Sequence, residues 1–166
     1  MNIIILLNPA SSGVNNKDNT IKKIVTLISD NIIILNIYPF IAPEIKILNI
    51  ELNEFIREFE YNLDIIIRTI RLPNINKIIF AFGQHFQYFN TNLRYKAEDL
   101  LNKFLDTIKD NIDDNISYYS IGLSNNYKLI KKFNTSIPLH INRKGNNLTL
   151  KLLSTEKLKE RIFKLI

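Results

Sequence analysis

The chain has no cysteine and no tryptophan, a single methionine, two histidines and four glycines among its 166 residues. Without cysteine there can be no disulfide, no thiol nucleophile, no thiolate zinc site and no iron–sulfur ligation. The glycines, Gly13, Gly83, Gly122 and Gly145, are too scattered to compose a dinucleotide-binding or Walker-type phosphate loop. His85 and His140 are far apart, with no His-Glu-x-x-His run and no carboxylate cluster at ligand spacing, so neither a metal nor a cofactor is expected. A nucleophile elbow is also missing. No apolar run approaches the ~18 residues of a membrane span, so no membrane partner is expected. The segment Met1–Leu7 lacks a basic leader region and runs straight into Asn8-Pro9. It reads as a strand and a turn rather than a signal peptide, and a cytoplasmic location is the expectation.

What is present is apolar and periodic. Apolar residues make up 46% of the chain and charged residues 23%, which excludes a disordered protein. The length suits one domain over residues 1–166 with a core that needs no staples. The net charge of +6 is compatible with phosphate backbones or anionic small molecules, and equally with simple solubility. Isoleucine and asparagine together fill about a third of the chain. Both have AT-rich codons, and the asparagines lie scattered among periodic apolar positions, so they form no prion-like tract.

Three runs, Ile3–Leu7, Ile32–Ile37 and Ile78–Phe82, are apolar almost throughout and rich in β-branched residues. Strands apolar on both faces belong to sheets covered on both sides, which are mostly parallel. A weaker fourth strand is Ser117–Ile121, ended by Gly122. Between the runs the period turns helical. Ile21, Ile24, Val25 and Ile28 form one stripe behind an N-cap at Asp18 or Asn19. A second stripe runs from Leu52 to Ile70 and stops at Leu72-Pro73, and a third runs from Leu93 to Ile108. This alternation predicts an α/β three-layer sandwich around a central, mainly parallel sheet of about four strands. Residues 137–142 and 148–153 flank Lys144-Gly145-Asn146 and read as a hairpin, before a closing helix capped by Thr155.

In open α/β sheets ligands bind beyond the carboxyl ends of the strands, so site residues are expected at those positions. The first strand delivers Asn8, Pro9, Ser11 and Ser12, and the second delivers Asn36, Tyr38 and Phe40. The third ends in Phe82-Gly83-Gln84-His85, and the fourth leads to Ser124 and Asn125. Amides that read donor and acceptor edges, with aromatic faces beside them, suit a planar heterocycle. Asn8 and Asn36 also suit turns, Asp18 also suits a helix cap, and His85 serves as well for a cap as for an acid–base group. Asn62, beside the apolar stripe of the long helix, needs a polar partner, and the loop after the first strand is the expected one. Tyr118 and Tyr119 read as core and sheet-edge residues. Lys128, Lys131 and Lys132, with Arg143 and Lys144, make a local basic patch.

The order of these motifs carries a resemblance. Asn8-Pro9-Ala10-Ser11 with Asp18, Asn36-Ile37-Tyr38, Asn62, Phe82-Gly83-Gln84-His85, Gly122-Leu123-Ser124 and Pro138-Leu139 follow one another as in a known pattern. They resemble the bacterial and phage family catalogued as domain of unknown function 1643, over about residues 3–141. That family is in turn similar to the uracil-DNA glycosylase superfamily. The resemblance implies a glycosylase-like fold in which Asn8 positions the attacking water, Asn36 hydrogen-bonds the base, and Tyr38 or Phe40 supplies an aromatic wall. Pro9, Ser11, Asp18, Asn62, Phe82, Gly83 and Ser124 would line the same pocket, with His85 as the titratable group. The departures are specific. Ile137 stands where the resemblance calls for a histidine beside the developing charge, Phe82 replaces a tryptophan, and Ala10 replaces a serine. Two readings therefore stay open: a nucleobase or N-glycosidic hydrolase, and a non-catalytic module that binds DNA or a nucleotide.

Overall fold

The computed structural model of the protein describes residues 1–7, 19–28, 31–40, 51–83, 91–123 and 148–159. Its elements in chain order are β1 (Asn2–Leu6), α1 (Asn19–Leu27), β2 (Ile32–Asn36), α2 (Leu52–Ile70), β3 (Lys77–Phe80), α3 (Thr91–Lys109), β4 (Ser117–Leu123), β5 (Leu148–Leu153) and α4 (Thr155–Lys159). The continuous isoleucine runs become β1, β2 and β3, and the three helical stripes become α1, α2 and α3. The helical stripe ends at Leu72-Pro73 because proline disfavours helical geometry in the residue before it. Arg71 closes α2 by donating its backbone N–H to the carbonyl of Ile67.

The strands form one sheet in the order β2-β1-β3-β4-β5. β2, β1, β3 and β4 are mutually parallel, and β5 is antiparallel to β4. The expectation of about four mainly parallel strands is corrected here to a mixed sheet of five strands. The difference lies in residues 148–153. Periodicity marks them as a strand but cannot say which strand they pair with. They pair with β4, Tyr118 opposite Leu153 and Leu123 opposite Leu148, which carries β4 two residues past its expected end at Ile121. The other arm of the expected hairpin, residues 137–142, lies outside the described residues.

Alternation along each strand separates two apolar layers. Ile3, Ile5, Ile78, Phe80 and Tyr118 face α2 and α3, where Phe55, Phe59, Leu63, Ile66, Leu101 and Phe104 complete the larger core. Ile4, Leu6, Ile79, Ala81 and Ile121 face the other way, against Ile24 and Ile28 from the end of α1. Helices on both faces follow from the strand order. The chain steps from β1 outward to β2, then crosses back over β1 to reach β3. A right-handed crossover in each direction needs α1 on one face and α2 on the other.

The amino ends of the strands are tied together. Asn2 donates to the carbonyl of Asn31, Asn76 to that of Met1 and Ser117 to that of Asn76, at 2.9–3.0 Å. The carboxyl ends of four strands gather at the opposite edge, where an α/β sheet presents its ligand site. Among the described residues no helix is long and apolar enough to cross a membrane.

Candidate functional site

At the carboxyl edge, β1 and β2 extend their ladder past the last strand residues. Ile37 donates to the carbonyl of Leu6 at 2.9 Å and Tyr38 to that of Leu7 at 2.8 Å. On the other side of β1, Ala81 donates to Ile5 at 2.9 Å. The ends of β2, β1 and β3 are thus held as one rigid shelf. Gly83 then turns the chain with φ of 68°, in the left-handed region where a Cβ would be strained.

Asn36 closes β2 on this shelf. Ile32 and Ile34 pack on the α1 face, and alternation puts the Asn36 side chain on that face too, beside Leu6, its register partner. Its Oδ1 is buried and, among the described residues, accepts no hydrogen bond. A buried amide oxygen without a donor costs about 1–3 kcal/mol.

Asn62 fixes the backbone beneath that side chain. It projects from α2 on the opposite face and gives both hydrogens of its amide to β2, to the carbonyl of Asn36 at 2.7 Å and to that of Ile37 at 2.9 Å. The expected partner was the loop after the first strand; Asn62 braces the second strand instead. With both donors spent, it holds the backbone at the end of β2.

The aromatic residues divide by depth. Tyr38 is 1% exposed, its ring stacked on Phe55 at a centroid distance of 5.7 Å and tilted against Phe59 at 5.9 Å. Its hydroxyl donates to the carbonyl of Ala97 in α3 at 2.7 Å. Those contacts enclose it in the larger core, and it ties β2 to α3. Phe40 is half-buried and stacks on the same Phe55 at 5.1 Å, so it is the aromatic face nearer the surface at this edge. Phe82 is fully buried, edge-on to Phe80 and Phe104 at 6.3 Å each. Phe55, which carries both Tyr38 and Phe40, gave no sequence signal beyond membership of an apolar stripe.

The structure therefore brings Asn62 to the backbone at Asn36, whose side chain faces the α1 layer, and places Phe40, Tyr38 and Phe82 in the layer on the opposite face of the sheet. Gly83 turns the neighbouring strand end. Asn8, Pro9, Ser11, Asp18, His85 and Ser124 lie outside the described residues. Among the described residues no group of histidine, aspartate and glutamate is placed to hold a metal ion. Among the described residues the chemical capacity left at this edge is one amide oxygen, that of Asn36, with its acceptor positions unfilled.

No curated protein and no solved structure matches the chain. A family model does match, over residues 1–130, and its description is "Protein of unknown function (DUF1643)". Spanning more than three quarters of the sequence, that match makes the chain a member of the DUF1643 family.

Proposed function

We propose that the protein recognises a nucleobase, as a nucleotide or within DNA, at the carboxyl edge of its parallel strands. The observation that carries this reading is the buried, unpaired Oδ1 of Asn36 on a strand end braced by Asn62. Every nucleobase that carries a ring imide or an exocyclic amine can supply the missing donor. The net charge of +6 favours a ligand that carries phosphate. The similarity of motif order to the uracil-DNA glycosylases supports the same site. In its catalytic form Asn8 holds a water for attack on the N-glycosidic carbon, and His85 supplies the titratable group. Pro9, Ser11, Asp18, Gly83 and Ser124 shape the pocket around them, with Tyr38 and Phe82 backing it from the core.

Ile137 favours a second reading. An aliphatic side chain cannot stabilise negative charge on a departing base, and losing such a donor costs orders of magnitude in rate. Under this reading the same pocket binds and does not cleave.

An excision assay separates the two. Oligonucleotides carrying uracil or modified and mismatched bases are incubated with the protein and treated with alkali to reveal abasic sites. Cleavage that disappears in Asn8→Ala establishes the hydrolase. Intact strands, with saturable binding that weakens as salt rises, establish the binding module. Neither cleavage nor binding of any base or nucleotide removes the proposal.

A further inference from the structure

α2 has three sides, and two are occupied. Phe55, Phe59, Leu63, Ile66 and Ile70 face the sheet. Glu60 turns towards α3 and pairs with Lys103. The remaining flank lies beyond Asn62, whose contact with the end of β2 marks the side of the outermost strand. It carries Glu54, Glu58, Tyr61, Ile65 and Arg68, at steps of four, three, four and three residues. That spacing keeps all five on one stripe, as in the contact seam of a coiled coil. The stripe is open to solvent, with Tyr61 67% and Ile65 40% exposed.

We propose that this stripe is the contact surface for a second copy of the same chain, with the two α2 helices antiparallel. The charge pattern selects that partner. The amino-terminal half of the stripe is acidic, the carboxyl-terminal half basic, and the centre apolar. A twofold axis between Tyr61 and Ile65 sets Tyr61 of each copy against Ile65 of the other. The same operation sets each Glu58 against the other copy's Arg68. A parallel arrangement would instead face Glu58 with Glu58 and Arg68 with Arg68, at a cost. The helix dipoles also favour the antiparallel pair. Within one chain Glu58 lies 3.0 Å from Arg57 and Arg68 lies 2.6 Å from Asp64, so the new ion pairs extend existing ones. The apolar pair therefore supplies most of the attraction and the charges supply orientation. Two apolar layers make a small interface, which places this dimer in the weak, concentration-dependent class.

Sedimentation equilibrium on the full chain, from a few micromolar to about 500 µM at low salt, tests this. The wild type forms a dimer in a concentration-dependent way. Ile65→Glu stays monomeric with an unchanged circular dichroism spectrum and melting temperature, because the side chain is exposed and off the core. Glu58→Arg and Arg68→Glu each weaken association several-fold, and the double exchange restores it. A wild type that remains monomeric throughout, a dimer that survives Ile65→Glu, or a double exchange no better than the single ones would each overturn the proposal.

Discussion

At the scale of the residue, the informative contrast is between two polar groups at the end of one strand. Tyr38 and Asn36 lie two positions apart, and the sequence offers both as pocket residues. In the structure the Tyr38 hydroxyl is satisfied by Ala97, while the Asn36 oxygen has no donor. The two should respond oppositely to substitution. Tyr38→Phe removes one buried hydrogen bond and leaves the ring stack intact. Chemical denaturation should show a loss of about 0.5–1.5 kcal/mol, with ligand binding unchanged. A loss of binding without a loss of stability would put the tyrosine in the site after all. Sequence could not make this distinction. An aromatic residue after a strand announces that a ring is present, not whether it turns towards the sheet or towards water. Asn62 is similar: a polar residue next to an apolar stripe predicts a partner, but not which strand provides it.

At the scale of the element, β1, β2, β3 and the long helices were legible because local rules decide them. An isoleucine run bounded by turn residues has few alternatives, and a five-turn apolar stripe ending at Leu72-Pro73 has fewer. The run 148–153 was legible as a strand, but its pairing with β4 was not, because pairing is a long-range matter that a local period does not decide. Its pairing with β4 rests beside Tyr118, which carries a testable pH effect. Burial holds the Tyr118 phenol above its ordinary pKa of 10.0, with the carboxylates of Asp113 and Asp114 adding to the rise. The backbone N–H of Asp113 donates to the phenol oxygen at 2.9 Å and opposes it. The phenol ionises more easily in the unfolded chain, so the native state holds the proton longer. Its stabilising contribution is complete below pH 10 and is lost as the pH rises from there through the folded-state pKa. Tyr118→Phe should flatten the alkaline limb of a stability–pH profile above pH 10, at the expense of the Asp113 contact at neutral pH. An unaltered alkaline limb in the variant would show that other groups govern it.

At the scale of the whole molecule, the sheet ties its strands together at one edge and gathers four strand ends at the other, and it places there an asparagine whose side-chain oxygen has no donor among the described residues. An unfilled acceptor of this kind lowers the stability of the free form, and the proposed ligand would complete it. The α/β architecture was foreseeable from alternating periods. The sense of the Asn36 side chain required the register with β1, which fixes Leu6 as its neighbour. The measurement that bears most directly on this account is a pair of melting curves for the wild type and Asn36→Val, with and without a panel of free bases and nucleotides. Valine suits a strand and removes the unpaired oxygen, so the ligand-free variant should gain about 1–3 kcal/mol and melt several degrees higher. The wild type should be stabilised by at least one member of the panel, and the variant by none. A variant that melts lower than the wild type, or one that keeps the ligand-induced shift, would contradict the assignment of Asn36 as the residue that reads the base.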